Sequence, residues 1–215
     1  MADELVLYTN PMSRGRIVRW MLEEVGAPYR TEIVDYARIK EPAYLAVNPM
    51  GKVPALKHGE VVVTETAAIC AYLADAFPAA GLAPPLGDAL RGTYFRWLFF
   101  AAGPIEAAVA NKAAGFDPPP ERARMMGYGT FDAAMDQLEA AVAHGGHLVG
   151  DSFTAADVYL GSQIGFGLQF GSLPKRPAFE AYWAKISDRP AAVRAREIDD
   201  ALLAQAQPAP AGASA

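Results

Sequence analysis

The chain has 215 residues, of which 52% are hydrophobic, so it can bury a core in one large domain or two small ones. The net charge is −5 and the longest basic run is the pair Lys175 and Arg176, which argues against nucleic acid or an anionic membrane as partner. No apolar stretch approaches the ~20 residues of a membrane span, and Asp3 and Glu4 do not suit a secretory leader. We therefore expect a cytoplasmic protein whose partner is a small molecule or another protein.

The cysteine and histidine content restricts the chemistry further. Cys70 is the single cysteine, which excludes an internal disulfide. The three histidines, His58, His144 and His147, are scattered along the chain and form no metal-ligand pattern, so we expect no metal. Cys70 lies on the apolar side of a predicted helix, and we interpret it as a small core residue and not as a nucleophile.

Strand and helix patterns alternate over the first 78 residues. In chain order, the predicted elements are a strand at 5–8, a helix at 14–25, a strand at 29–34, a short helix at 42–47, strands at 53–57 and 61–64, and a helix at 65–77. The first strand–helix–strand unit requires parallel strands, and the last two strands form a hairpin. The sequence therefore predicts an α/β domain over residues 1–78.

Strand patterns disappear beyond that point, and long Ala-rich segments with helical periodicity follow. We expect a linker at 79–87, an all-α domain at 88–203 and a flexible tail at 204–215. The predicted helices run over 88–114 with a kink at Gly103-Pro104, over 117–144, from 154 onward, over 177–188 and over 190–203.

Polar residues indicate where three of these helices begin. Asp88 is the predicted N-cap of the first, and Asp117 followed by Pro118 predicts the start of the second. In "SFTAADV", Thr154 and Asp157 have the spacing of a capping box. This spacing gives Asp157 a structural role without any need for acid–base chemistry.

The segment "NPMGKVPAL", residues 48–56, leads from turn signals through Val53-Pro54 directly into a strand. Proline in a strand pattern requires an edge position or a cis bond that turns the chain. A cis Val53-Pro54 bond would leave the Val53 backbone free to pair with an extended, peptide-like ligand. An ordinary edge turn is the alternative.

The segment "TETAAICAYL", residues 64–73, places Thr64, Glu65 and Thr66 at the start of a helix. Free backbone amides and the positive end of the helix dipole favour a ligand carboxylate there, and the Glu65 side chain is suited to an ammonium group. Together they would bind an amino-acid head group. The alternative is a well-capped helix with an acidic first turn.

Four segments, "YTNPMSRGRIVRW", "NPMGKVPAL", "TETAAICAYL" and "SFTAADV", occur in the order and spacing of the glutathione transferases, and the resemblance extends to about residue 203. The resemblance implies a thioredoxin-like domain that binds glutathione, followed by an all-helical domain. Glutathione has an amino-acid head, a central thiol and a terminal carboxylate. It would act as co-substrate, without a metal.

The resemblance also implies a role for each residue of the glutathione pocket. Val53, just before a cis Pro54, would pair with the cysteinyl backbone, while Glu65 and Thr66 would hold the γ-glutamyl group. Thr66 replaces the more usual serine and keeps the hydroxyl. The glycyl carboxylate would be neutralised by two lysines, Lys52 and Lys40.

Two residues compete for the role of stabilising the glutathione thiolate. Ser13 lies at a helix start and resembles the serine or cysteine of theta-, zeta- and beta-like members, whereas counting back from Arg19-Trp20 puts Tyr8 at the position of the tyrosine of alpha-, mu- and pi-like members. A hydroxyl and a helix amino terminus both favour a thiolate, and Ser13 fits both needs. Ser13 is preferred because Ser-Arg at a helix start resembles the bacterial members, whereas a tyrosine that ends a first strand can be a core residue. If Ser13 only caps the helix, Asn10 could donate instead.

The electrophile is expected against an apolar wall formed by Met12, Phe99, Gly103, Phe116, Tyr128, Phe166 and Phe170. The expected reaction is attack of the thiolate on a small hydrophobic electrophile. A glutathione-dependent disulfide reductase or peroxidase, or a noncatalytic binding module, remains an alternative. The resemblance further implies a homodimer, with surfaces on the helices at 65–77 and 88–114.

Overall fold

A computed structural model describes residues 4–206 of the protein. These residues form two compact units, the first comprising the segment up to Ile69 together with the segment from Pro190 onward, and the second comprising Cys70–Arg189. The first unit contains a four-stranded sheet with helices, and the second is helical apart from one isolated β-bridge. The predicted fold class, a thioredoxin-like domain followed by an all-α part, is confirmed.

The sheet has the strand order β2-β1-β3-β4. Its strands are β1 (Leu5–Thr9), β2 (Tyr29–Ile33), β3 (Ala55–His58) and β4 (Val61–Thr64). Strand β1 pairs in parallel with β2, and β3 and β4 form an antiparallel hairpin, both as predicted. Strand β3 also runs antiparallel to β1. Strand β3 begins two residues later than expected because the Val53-Pro54 step lies outside the ladder.

Four helices belong wholly or partly to the first unit. They are α1 (Gly15–Val25), α2 (Pro42–Leu45), the beginning of α3 (Thr66–Ala76), and α9 (Pro190–Ala206). Helix α9 packs along α1, a placement that chain order did not predict. The tail was expected from residue 204, but α9 continues to Ala206, and residues 207–215 lie outside the described part of the chain.

The second unit contains α4 (Leu90–Phe100), α5 (Glu106–Ala113), α6 (Phe131–Val142), α7 (Ala155–Phe170) and α8 (Pro177–Ser187). The N-cap of α4 is Ala89, one residue after the predicted Asp88, whose carboxylate accepts a 2.8 Å hydrogen bond from the Leu90 amide. A π-helical turn containing Pro104 separates α4 from α5, which confirms the predicted interruption. None of the helices in the described chain is both long and apolar enough to cross a membrane.

The prediction of one helix over 117–144 was wrong. Residues after Asp117 form an irregular stretch and a 3₁₀ segment at Pro120–Met125, and α6 begins only after Thr130. Each proline disfavours the helical conformation in the residue before it, so the run 118–120 prevents Asp117 from opening an α-helix. Thr130 is the actual cap, with its hydroxyl accepting a 3.1 Å hydrogen bond from Ala133.

Cys70 is fully buried, in agreement with its interpretation as a core residue. Burial raises the pKa of the Cys70 thiol to about 12, because the charged thiolate is disfavoured away from water. At neutral pH the group is therefore a protonated thiol in the core, as that interpretation requires.

Candidate functional site

The register of the sheet brings the predicted site segments to one end of it. Tyr8 is paired with Ala55, and Ala55 is paired with Thr64, so the last residue but one of β1, the first residue of β3 and the last residue of β4 are aligned. The turn that follows β1, the proline step that precedes β3 and the helix that follows β4 consequently leave the sheet at this same end. Residues far apart in the chain are collected there by strand pairing alone.

The turn after β1 is organised by Asn10. Its backbone carbonyl accepts hydrogen bonds from the Ser13 amide at 2.9 Å and the Ser13 hydroxyl at 2.6 Å. Its side-chain carbonyl accepts from the Met12 amide at 2.9 Å, and its side-chain amide donates to the Val34 carbonyl at 3.0 Å. Asn10 thus holds the turn in place with both ends of its side chain.

Ser13 lies at the amino terminus of α1. The half-buried Ser13 accepts, through its Oγ, a 2.9 Å hydrogen bond from the Gly15 amide. This amide belongs to the first helical turn, whose amides have no acceptor within the helix itself. Glycine is required at 15 because a Cβ there would lie 1.7 Å from Thr9 Oγ1. A hydroxyl is therefore held where backbone amides and the helix dipole favour a negative charge.

Tyr8 lies on the other face of the sheet. Neighbouring side chains of a strand point to opposite faces, and Thr9 meets Gly15 of α1 on one of them. On the opposite face, the ring of half-buried Tyr8 lies with its centroid 6.1 Å from that of Tyr44 in α2. Of these two residues, Ser13 is the one that lies at a helix amino terminus.

The loop before β3 is fixed through the carbonyl of Lys52. This carbonyl accepts hydrogen bonds from the Tyr44 hydroxyl at 2.6 Å and from the buried Asn48 side chain at 2.8 Å. Burial raises the pKa of Tyr44 to about 12, so the hydroxyl stays protonated as a donor at neutral pH. The Lys52 side chain remains exposed.

The Val53-Pro54 peptide bond is cis, as predicted. Within the described residues, the amide and carbonyl of Val53 make no backbone hydrogen bond, although Ala55 two residues later is already in the ladder. The open backbone faces the same end of the sheet as the Ser13 turn, and it can accept an extended chain as an additional pairing partner.

Lys40 reaches the same loop from the segment before α2. Its ammonium group donates a 2.6 Å hydrogen bond to the Met50 carbonyl. Gly51 has a φ of +58°, and a Cβ there would lie within 2.9 Å of the Lys40 side chain, so only glycine permits this approach. Lys40 and Lys52, twelve positions apart in sequence, therefore serve one loop.

Glu65 has an unusual backbone conformation, with a φ of +66°. It precedes α3 and accepts the first helical hydrogen bond from Ile69 at 2.9 Å, although residues at this position are normally extended. Left-handed backbone at a residue other than glycine costs about 1–3 kcal/mol and is retained mainly at functional positions. The Glu65 side chain is exposed and Thr66 is nearly buried.

The amides of Thr66, Ala67 and Ala68 open helix α3. The first amides of a helix have no acceptor within it. In the part of the chain described by the structure, no side chain or loop carbonyl accepts from these three amides. Next to Glu65, they form an amide-lined start of a helix that is suited to a carboxylate.

The residues predicted to form an apolar wall are divided between the two units. Met12 belongs to the first unit and is exposed, and the other six belong to the second. Phe99, Gly103, Phe116 and Phe170 are exposed, Phe166 is half-buried, and Tyr128 is buried. Phe166 and Phe170 are adjacent on α7, with ring centroids 6.3 Å apart.

Tyr128 and Phe170 have specific surroundings in the second unit. The Tyr128 hydroxyl accepts a 2.9 Å hydrogen bond from Asn111, which gives it a structural partner. Phe170 lines a cleft of about 460 Å³, together with Val109, Lys112, Ala113, Phe131, Gly171, Ser172, Leu173 and Pro174. Phe170 is the member of the predicted wall that lies in this cleft, and the wall as a set stays a prediction.

Sequence reasoning missed Asn48 and Tyr44, which hold the carbonyl before the cis bond, and the left-handed backbone of Glu65. The Asn48-Pro49 pair is a turn signal that could have indicated a side chain bonded to nearby backbone. Tyr44 and the conformation of Glu65 had no local signal, because both depend on contacts between segments distant in sequence.

Comparisons with known proteins agree with this geometry. The family model described as glutathione S-transferase, N-terminal domain, matches residues 12–76. Glutathione S-transferase F10 of Arabidopsis thaliana is 30% identical over 189 residues, covering 79% of this chain and 86% of that protein.

Solved structures extend the similarity over almost the whole chain. A glutathione transferase from Methylococcus capsulatus is 30% identical with a TM-score of 0.76, covering 92% of this chain and 99% of that one. A sphingomonad glutathione S-transferase complexed with glutathione is 32% identical with a TM-score of 0.74, covering 91% and 98%. These levels of identity and coverage confirm the resemblance, and the chain belongs to the glutathione S-transferase family.

Proposed function

We propose that this protein is a glutathione transferase that binds glutathione at the described end of the sheet and activates its thiol for attack on a small hydrophobic electrophile. The observation that carries the proposal is the alignment of Tyr8, Ala55 and Thr64, which gathers the Ser13 turn, the open Val53 backbone and the Glu65 helix start. The sphingomonad relative described as complexed with glutathione supports the choice of ligand.

The features of glutathione correspond to those of this surface. The unpaired Val53 backbone suits the cysteinyl peptide groups, and the α3 amides with Glu65 and Thr66 suit the γ-glutamyl carboxylate and ammonium. Lys52 lies in the loop before β3, Lys40 reaches that loop from the segment before α2, and the two lysines suit the glycyl carboxylate. Pro54 lies at the bend between the loop that carries Lys52 and strand β3. Each charged end of the tripeptide therefore meets a group of opposite charge.

Ser13 is proposed to stabilise the thiolate. A thiol with an ordinary pKa of about 8.5 is mostly protonated at neutral pH, and a hydroxyl donor at a helix amino terminus lowers that value. The Ser13 hydroxyl donates to the Asn10 carbonyl at 2.6 Å, and donation to the sulfur of glutathione requires its O–H bond to rotate away from that carbonyl. Tyr8 lacks the helix terminus and packs against Tyr44.

The thiolate is proposed to form a carbon–sulfur bond with the electrophile while the electrophile loses its leaving group. Holding both reactants in one geometry and lowering the thiol pKa supply the acceleration. The apolar residues of the predicted wall are candidates for the electrophile's surroundings. We further propose that the protein is a cytoplasmic homodimer. Analytical ultracentrifugation of the purified protein would test the oligomeric state.

Binding and turnover test the proposal in two steps. Calorimetric titration with glutathione should give saturable heat, and its absence would reject the glutathione pocket. Initial rates with a chloronitroaromatic should then fall about 100-fold or more in Ser13→Ala and by less than about threefold in Tyr8→Phe. The reverse pattern would assign the role to Tyr8, and turnover confined to cumene hydroperoxide or a mixed disulfide would replace transfer by peroxidase or reductase activity.

A further inference from the structure

Helix α9 carries two neighbouring aspartates that both pair with arginines of α1. Asp199 pairs with Arg19 at 2.9 Å, and both side chains are only 1% exposed. Asp200 pairs with Arg16 at 2.5 Å, nearer to solvent. Arg16 and Arg19 are three positions apart and therefore lie on one face of α1. The two pairs form a ladder between the last helix of the described chain and the helix that begins beside Ser13.

The buried pair fixes the register of this ladder. Besides Asp199, Arg19 donates to the Tyr29 hydroxyl at 3.2 Å and to the Thr31 hydroxyl at 3.0 Å, so α9, α1 and β2 share one polar network. A buried charge that lost its partner would be left without compensation, so α9 resists sliding along α1. Asp200 is consequently held opposite Arg16.

Arg16 makes a second contact, with the turn that carries Ser13. Its Nε donates a 2.7 Å hydrogen bond to the Pro11 carbonyl, while its Nη2 meets Asp200. The planar fork of a guanidinium holds both groups in a fixed geometry, whereas the three donors of a lysine ammonium rotate freely. Asp200 therefore fixes the direction from which Arg16 reaches the turn.

The exposure of the outer pair indicates what it does. The Asp200 side chain is 57% exposed, and exposed ion pairs contribute little to folding stability. Its effect is expected in the geometry of the turn instead. Ser13 Oγ is bonded to Asn10 and Gly15 on either side of the Pro11 segment, so movement of Pro11 would displace the hydroxyl.

We propose that Asp200 is a positioning residue that, through Arg16, holds the Ser13 turn in the geometry required for thiolate stabilisation. This inference rests on the proposed function of Ser13. When Asp200 loses its charge, Arg16 has more freedom and the Pro11 carbonyl loses its fixed donor. The Ser13 hydroxyl then occupies the productive position for a smaller fraction of the time.

The test compares Asp200→Asn with Arg194→Gln. Arg194 pairs with Glu23 at 3.2 Å and also joins α9 to α1, but its hydrogen bonds within the described chain go to Glu23 and not to the turn, so it is a matched control. Asp200→Asn should lower kcat about threefold to tenfold with little change in the KM for glutathione, because misplacement affects the reacting geometry more than binding. Asp200→Glu should restore most of the rate.

Amide hydrogen exchange supplies a readout that does not depend on turnover. Exchange at Ser13 and Gly15 should be faster in Asp200→Asn than in the wild type, and unchanged in Arg194→Gln. Equal behaviour of the two variants in exchange and kcat would overturn the proposal, as would faster exchange with an unchanged kcat. Full activity of Ser13→Ala would instead reject the proposed role of Ser13. Because that measurement uses no Asp200 variant, the two proposals can be rejected separately.

Discussion

Helices α3 and α7 both begin with a threonine and an acidic residue, but they differ in whether their first backbone amides have hydrogen-bond acceptors. At the start of α7, Thr154 Oγ accepts from the Ala156 amide at 3.3 Å, and Asp157 accepts from the Thr154 amide at 2.8 Å. At the start of α3, Glu65 has a left-handed backbone, and no acceptor within the described chain reaches the amides of Thr66 and the two alanines after it.

The difference separates a structural helix start from a candidate binding site. Asp157 is completely buried and also accepts from the Leu148 amide and the Tyr182 hydroxyl, so its charge is compensated within the fold. Glu65 is exposed, and its strained backbone gives no visible gain to the folded chain. Donors left open beside a strained acidic residue are suited to a ligand, whereas donors that already have partners are not.

The largest expected effect is that of Asp157→Ala on stability. The substitution leaves buried donors at Leu148, Thr154 and Tyr182 without an acceptor, and we expect it to lower the free energy of unfolding by about 3–5 kcal/mol. Denaturant unfolding would measure this. Asp151→Ala, at an exposed aspartate nearby, should change the value by less than about 0.5 kcal/mol. Similar losses in both variants would contradict the contrast between the helix starts.

Glu65 should affect ligand binding instead of stability. Glu65→Gln keeps the size of the side chain but removes its charge, so the affinity for glutathione should fall about tenfold or more, with an unchanged unfolding free energy. Glu65→Gly should lose affinity similarly, while relief of the left-handed strain raises stability by up to about 1 kcal/mol. Calorimetric titration and denaturant unfolding would measure the two quantities, and a stability loss in either variant would count against a site role.

The same substitution at both threonines compares the two helix starts directly. Thr154→Val should lower the unfolding free energy by about 0.5–2 kcal/mol, because a cap is lost. Thr66→Val should instead weaken glutathione binding by about twofold to tenfold and leave stability nearly unchanged. Thermal unfolding and calorimetric titration of both variants would test this. A stability loss in Thr66→Val together with weaker glutathione binding in Thr154→Val would contradict the assignment of the two helix starts.

The smallest effect expected is the pH dependence caused by His147 near Asp157. Burial, together with Lys185 and Arg189, lowers the pKa of His147 although Asp157 acts in the opposite direction. The unfolded chain has an ordinary histidine pKa of about 6.5 and takes up the proton more readily, so this stability contribution is complete above that pH and is lost as the pH falls toward the lowered value.

His147→Gln should therefore reduce the fall in melting temperature between about pH 7.5 and about pH 5.5. The expected change is smaller than that of Thr154→Val. His58→Gln, which removes a histidine of the other unit, is the control. An identical pH dependence in the wild type and His147→Gln would exclude this contribution.

The sequence predicted the sheet elements of the first unit closely, because each strand has a local apolar pattern and each connection a turn signal. β4 was predicted without error, and the start of β3 differed only where Pro54 interrupts the ladder. The error at 117–144 arose from treating Asp117-Pro118 as a helix start, when the two further prolines prevent one. The position of α9 on α1 could not be predicted, because both helices have several surfaces that could pack.

The candidate site was predictable as a set of residue types but not as an arrangement. Proline in a strand pattern left a cis bond and an ordinary edge turn open at Val53-Pro54, the resemblance implied the cis bond, and the structure confirms it. Spacing left both Ser13 and Tyr8 open as candidates, and the sheet face that each side chain occupies supports the proposal of Ser13. The two lysines were assigned by resemblance, and the approach of Lys40 to Gly51 supplies the geometry.

The sequence by itself determined the alternation of strands and helices, the capping box of α7 and the residue types available for a tripeptide, because these depend on neighbours a few positions apart. Only the tertiary structure decided that Ser13, Val53 and Glu65 lie at one end of the sheet, that Glu65 has a left-handed backbone, and that Asp200 meets Arg16. These features require segments separated by tens to hundreds of residues to come together, and strand register and helix packing determine that arrangement.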